Sequence, residues 1–307
     1  MKAEVVSMTA DKLDMEAIQR GGEILKQGGL VAFPTETVYG LGGDALNPQA
    51  SMKIYAAKGR PSDNPLIVHI TEFDKLAPIV AEVPEKAKIL ARKYWPGPLT
   101  MILPKSDLVP GETTGGLDSV AVRFPSDRIA QELILAAGGY VAAPSANTSG
   151  RPSPTKAEHV IEDMNGKIEM IIDGGAVGIG VESTIVDVSS EIPTLLRPGA
   201  ITIEMLRETL GQVDIDPVIL GPVSGDIKPK APGMKYRHYA PKADMTLVEG
   251  DMDKVVAYIN DQTKKAEAEG KKVGIICTEE SRDMYQGGNL EVIGSREHEE
   301  TVAHNLF

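Results

Sequence analysis

The chain has 307 residues, 42% apolar and 25% charged, with a formal net charge of −12. That length supports a sizeable core and, as a prior, two domains; the acidic balance argues against a general duplex-DNA binder but leaves room for a local basic pocket. No apolar run approaches the ~18–20 residues of a membrane span. The N-terminus carries acids where the apolar part of a secretory signal would lie. The single cysteine, Cys277, sits in the apolar run 273–277 and reads as a buried structural thiol, so the cytoplasm is the expected compartment.

In chain order, Met15, Ile18, Gly22 and Leu25 share one helical face over residues 14–27, and Gly28-Gly29 ends that helix. Leu30–Phe33 reads as a buried strand closed by Pro34, followed by a segment of hydroxyls and glycines over residues 35–43. A helical segment, a polar loop at 57–65 and a strand at 66–70 complete this opening unit. Its loops hold threonine hydroxyls, Lys58, Arg60, Ser62 and Asn64. A Lys and an Arg two residues apart in a Gly-Pro loop suit an oligoanion such as a nucleotide phosphate, or form a solvated basic loop; no Walker pattern is present.

A helix is expected over 84–94, with strands at 100–103 and at 120–123, the latter ending in Arg123. Ser126 or Asp127 caps a helix carrying Ile129, Leu133 and Ala136. Strand 140–143 runs into Pro144-Ser145-Ala146-Asn147, and Thr155 to Glu158 reads as a capping box. Strands at 168–172, 183–188 and 195–197 and a helix at 202–210 finish an α/β domain, residues 1–212, built on a mixed, twisted sheet. Residues 213–243 are rich in Pro and Gly and read as a connector. Strand Thr246–Val248, helix 253–268 and strand 273–277 then open a βαβ unit, a small Rossmann-like second domain over 244–307. The chain stops in what reads as the start of a helix at 302–307, so this domain is expected to be natively small or incomplete.

Four segments share one character: 34–43, 58–64, 144–154, and 181–184 with Arg197. Each sets small hydroxyls, glycines and a basic or amide group beside a strand. Gathered at one sheet edge, they would line a site with N–H groups, hydroxyls and positive charge, suited to phosphates and a small zwitterion; each taken singly is also ordinary turn chemistry. Arg123 suits either a salt bridge at the sheet edge or a carboxylate receptor, and His69 either a core position or a pocket. No zinc spacing, nucleophile elbow or dinucleotide fingerprint is present. A site rich in anion binders and poor in nucleophiles points to catalysis by positioning and charge stabilisation, as in phosphoryl and nucleotidyl transfer.

Lys58-Gly59-Arg60-Pro61, Asn64–His69, Trp95–Thr100, Ala121–Pro125, Pro144–Asn147 and Glu182–Ile185 together resemble the YrdC/Sua5 family of threonylcarbamoyl-AMP synthases. Pro232–Pro241 resembles the linker of its two-domain Sua5 branch. The resemblance implies an N-terminal YrdC-like twisted mixed sheet with helices, a linker acting as a lid, and a small C-terminal Rossmann-like α/β domain, which in the family usually continues past a motif like Asn305–Phe307. It implies a reaction in which L-threonine, bicarbonate and ATP give threonylcarbamoyl-AMP and pyrophosphate. Mg²⁺ would accompany ATP, with no metal ligands from protein side chains. The product would pass to a tRNA threonylcarbamoyl transferase complex for t6A37 modification, with possible tRNA contact.

Residue by residue, the resemblance implies that Thr35, His69, Arg123, Ala143 and Ser183 form the threonine seat. Lys58 and Arg60 would act on the ATP phosphates as catalytic charges. Ser62, Asn64, Thr114, Ser145, Asn147, Ser153, Arg197 and the linker's Tyr236 and Tyr239 would complete the nucleotide site. The alternative weighed against the synthase is a structured-RNA-binding module without synthase activity. A carbamoyl-phosphate-linked transferase is a further reading, but its extra zinc-finger or acylphosphatase segments are not visible.

Overall fold

The computed structural model describes residues 2–220 and 243–305. Contacts divide the chain into two compact units, Met1–Ala240 and Pro241–Phe307. Among the described residues no helix is long and apolar enough to cross a membrane.

The first unit opens with β1 (Glu4–Ser7) and α1 (Met15–Lys26), whose N-cap Asp14 accepts from the Ala17 N–H. α1 buries Ala17, Ile18, Gly21, Gly22 and Leu25, the face expected from helical spacing except at Met15, which starts the helix and is exposed. β2 (Val31–Phe33) and β3 (Gly40–Asp44) pair antiparallel around the 34–39 loop. α2 (Pro48–Lys58) then runs to a left-handed C-cap at Gly59, which turns the chain towards β4 (Ile67–His69). The unit continues through α3 (Leu76–Ile79), α4 (Glu85–Tyr94), β5 (Leu99–Pro104), α5 (Gly111–Thr114), β6 (Ser119–Arg123), α6 (Arg128–Ala136) and β7 (Val141–Ala142). It closes with α7 (Ala157–Met164), β8 (Met170–Asp173), β9 (Thr184–Asp187), β10 (Thr194–Arg197), α8 (Ile203–Leu210), β11 (Asp214–Ile215) and α9 (Pro217–Leu220).

These strands form one eleven-stranded mixed sheet in the order β1-β8-β2-β3-β7-β4-β6-β5-β9-β10-β11. On its β1–β8–β2 side, α1 and α6 pack through Ile18, Leu25, Ile129 and Leu133 onto Phe33, Met170 and Ile172. At the centre, Val68, Met101, Val122 and Val186 enter the main core, while Ile67, Ile102, Ala121 and Ile185 form a smaller cluster with Leu196. The period-2 alternation of β-strands assigns these two sets to opposite faces.

Four expectations are corrected. Gly40–Asp44, read as part of a loop, is β3; its glycines allow close approach, since a Cβ on Gly42 would lie 2.9 Å from Phe33 Cε1 and 3.0 Å from Val141 Cγ1. Thr155 does not cap a helix: its carbonyl accepts from Val177, and α7 starts one residue later with Lys156 as N-cap and no side-chain capping bond. The connector is structured at its start, because β11 pairs parallel with β10 and α9 follows. Thr246–Val248 is not a strand, and Met245 and Leu247 are exposed.

In the second unit, α10 (Met252–Ala268) precedes β12 (Gly274–Cys277), which pairs parallel with β13 (Asn289–Val292), and α11 (Glu299–Asn305) follows. Cys277 is a buried free thiol whose pKa burial pushes up.

α1 packs closely on α6, where a Cβ on Gly22 would fall 2.6 Å from Ala136 Cβ and 2.7 Å from its carbonyl carbon. Gly22→Ala therefore forces the helices apart and costs about 1–3 kcal/mol. Urea unfolding should show a lower midpoint at unchanged slope.

Candidate active site

One row of the sheet builds the floor of the site. His69 on β4 pairs with Arg123 on β6, Arg123 with Thr100 on β5, Thr100 with Ile185 on β9, and Ile185 with Arg197 on β10. Directly paired residues face the same side of a sheet, so the polar members of this row share one face. That face opens into a cleft of about 710 Å³, counting space continuous with solvent. All four segments singled out from the sequence reach this cleft.

Each cation in the cleft is held by the protein. Lys58 is buried at the end of α2; its Nζ donates to the carbonyls of Ser145 (2.5 Å) and Asn147 (2.6 Å) and lies 3.4 Å from Asn147 Oδ1. Burial, then the charge of Arg60, pushes the Lys58 ammonium well below its ordinary pKa. Arg60 donates through Nε to the Asn64 carbonyl (3.1 Å), and through Nη2 to Asn64 Oδ1 (2.6 Å) and the Pro65 carbonyl (2.9 Å). Arg197 donates to the Ser183 carbonyl and hydroxyl, both at 3.0 Å, and to Glu182 Oε2 at 2.5 Å. Ser153 fixes the other oxygen of Glu182 at 2.8 Å.

Arg123 sits 2.8 Å from Glu36 Oε2, with side-chain exposures of 5% and 14%. Among the described residues, both Glu36 oxygens and Arg123 Nε lack an aligned hydrogen bond. The pair is therefore an ion contact, as the salt-bridge reading of Arg123 expects, and Arg123 also lines the cleft. Beside it, Thr35 donates its hydroxyl to the Val38 carbonyl (2.7 Å) and accepts from the Thr37 and Val38 N–H groups, a turn that shapes the 34–39 loop. Tyr39 pins the loop by donating to the Gly175 carbonyl at 2.6 Å. His69 is buried, its Nδ1 3.1 Å from the Ile67 carbonyl and its ring edge-on to Phe33.

Of the residues named from the sequence, Thr35, Lys58, Arg60, His69, Arg123, Ala143, Ser145, Asn147, Ser183 and Arg197 line the cleft. Asn64 and Ser153 stand behind it, holding Arg60 and Glu182. Ser62 is exposed and does not line the cleft, and Thr114 directs its hydroxyl to the Leu117 carbonyl at 2.8 Å, away from it. Tyr236 and Tyr239 lie outside the described residues. Sequence reasoning gave Glu36 and Glu182 no role of their own, although Glu182 stood in a recognised motif; Glu36 pairs with Arg123, and Glu182 with Arg197 and Ser153. Among the described residues no cluster of three or more His, Cys, Asp or Glu side chains could hold a metal ion.

A family model named for Sua5, YciO and YrdC, and described as "Telomere recombination", matches residues 23–199. A second, "Threonylcarbamoyl-AMP synthase, C-terminal domain", matches residues 201–307. The threonylcarbamoyl-AMP synthase of Pyrococcus abyssi is 48% identical over 303 residues, covering 99% of this chain and 87% of its own length. That of Bacillus subtilis is 46% identical over 291 residues, covering 94% and 82%. The crystal structure of P. abyssi Sua5 complexed with L-threonine matches with a TM-score of 0.91 at 48% identity, covering 100% of this chain and 87% of that one. By the match over residues 23–199 and these relatives, the chain belongs to the Sua5/YciO/YrdC family.

Proposed function

We propose that this chain is an L-threonylcarbamoyladenylate synthase, forming threonylcarbamoyl-AMP and pyrophosphate from L-threonine, bicarbonate and ATP. The observation that carries the reading is the convergence of Lys58, Arg60, Arg123 and Arg197 on one cleft. The substrates bring their own nucleophile: the neutral threonine amine takes the CO₂ unit of bicarbonate, whose hydroxide leaves as water with the amine's proton; an oxygen of the resulting carbamate then attacks the α-phosphorus, and pyrophosphate leaves. The protein's part is to position the reactants and stabilise the developing negative charge. Arg123 and Ser183 would seat threonine, with Thr35, His69 and Ala143 shaping the pocket. Lys58 and Arg60 would face the phosphates, and Ser145, Asn147 and Arg197 the remainder of the nucleotide.

The cleft carboxylate Glu182 is engaged by Arg197 and Ser153, so Mg²⁺ would enter with ATP, held by phosphate oxygens. We place the catalytic domain's end near Leu220 rather than 212, because β11 extends the sheet, with the linker following and the C-terminal domain from 244. The product would serve a tRNA threonylcarbamoyl transferase in t6A formation in the cytoplasm. The RNA-binding module is not favoured by relatives named as synthases.

His69 contributes a neutral imidazole. Burial, then the charge of Arg123, lowers its pKa from 6.5 to about 3. The unfolded chain therefore binds a proton that the folded one refuses: the stabilisation is complete above about pH 6.5 and is lost as pH falls towards about 3.

Two outcomes are expected. Pyrophosphate release from MgATP should require L-threonine and bicarbonate together, and should fall about 10²-fold or more in Lys58→Ala; release independent of threonine would refute the assignment. Stability measured by urea unfolding between pH 6.5 and 3.5 should drop less steeply in His69→Phe than in the wild type, by up to about 1.4 kcal/mol per pH unit.

A further inference from the structure

Among the hydroxyls that line or underlie this side of the cleft, Thr35, Thr37, Thr100 and Ser183 bond to one another in pairs, Thr35 Oγ1 lying 2.9 Å from Thr37 Oγ1. Thr35 gives its hydrogen to the Val38 carbonyl, so it has none to offer a ligand. Thr100 is fully buried, and its hydroxyl lies 2.8 Å from Ser183 Oγ. Ser183 Oγ also accepts from Arg197 Nη2 at 3.0 Å. Either member of the Thr100–Ser183 pair could be the donor on distance alone. Were Ser183 the donor, the Thr100 hydrogen would be stranded in the core, because Ser183 Oγ is the hydrogen-bond partner of its hydroxyl among the described residues. Thr100 is therefore the donor. Ser183 then accepts twice, from Thr100 and from Arg197, and both lone pairs of its oxygen are used. Its own hydrogen remains, and Ser183 lines the cleft.

We propose that Thr100 is a positioning residue that fixes the Ser183 hydroxyl as a donor into the cleft, aimed at the carboxylate of the bound amino acid. This rests on the reading of Ser183 and Arg123 as the threonine seat. The register supports it: Thr100 is paired with Arg123 across β5 and β6, so it sits between the guanidinium and the hydroxyl that would share one carboxylate. The Arg197 charge polarises the same hydroxyl and strengthens its donation. Glu182, anchored by Ser153, holds Arg197 in that position.

The test is steady-state pyrophosphate release by Thr100→Val, Thr100→Ser, Ser183→Ala and the Thr100→Val/Ser183→Ala double variant, each checked for folding by thermal unfolding. Thr100→Val should raise the KM for L-threonine about three- to tenfold, with kcat and the KM for ATP unchanged. Thr100→Ser, which keeps the donor, should restore the wild-type KM. In the Ser183→Ala background, Thr100→Val should add nothing, since the hydroxyl it orients is gone. If Thr100→Val does not fold, Thr100→Ala carries the same comparison. A threonine KM that rises in Ser183→Ala but not in Thr100→Val, or a kcat loss without a KM change, overturns the positioning role and leaves the synthase reading standing. An unchanged threonine KM in Ser183→Ala overturns the threonine seat itself, and the positioning role with it.

Discussion

The pairing of β4, β5 and β6 is the constraint on which the site depends. It puts His69, Arg123 and Thr100 in one transverse row, and β9 and β10 extend that row to Arg197. A one-residue slip between any two of these strands would turn the polar member of one towards the main core, where Val68, Met101 and Val122 now lie. The buried apolar set on the opposite face thus fixes the functional face. The small cluster of Ile67, Ile102, Ala121 and Ile185 supplies a dry floor beside the row, on which charge–charge interactions are weakly screened.

A dry floor makes unpaired charge costly, and the cleft answers this locally. Main-chain carbonyls and side-chain amides hold Lys58 and Arg60, while the carboxylates of Glu36 and Glu182 hold Arg123 and Arg197. The cations are thereby oriented before any ligand arrives, which is what positional and electrostatic catalysis requires. The arrangement also explains how a chain of net charge −12 can gather positive charge: the cations are concentrated in a recess.

Much of this was legible in the sequence because it depends on local chemistry. Strand and helix patterns follow from apolar spacing, and the loops announced themselves by glycine, proline and hydroxyls beside strand ends. Non-local pairing was not legible. β3 was hidden because its glycines, needed where Gly42 packs against Phe33 and Val141, look like loop residues. Asn64 could be placed near the site but not assigned to Arg60, Ser153 not to Glu182, and Glu36 not to Arg123, because each of these bonds is a matter of side-chain direction. Thr100 stood in a recognised motif as an ordinary strand residue, and only its register against Arg123 and its contact with Ser183 give it a role.

The central claim is that the row gathers a seat whose guanidinium, Arg123, receives the carboxylate of an amino acid. Calorimetric titration of the wild-type protein with L-threonine and with L-threoninol, which lacks that carboxylate, tests it without altering the protein. The account predicts one site for L-threonine and binding of L-threoninol weaker by about 10²-fold, the worth of a charge-assisted bidentate contact. Equal affinities for the two would contradict it.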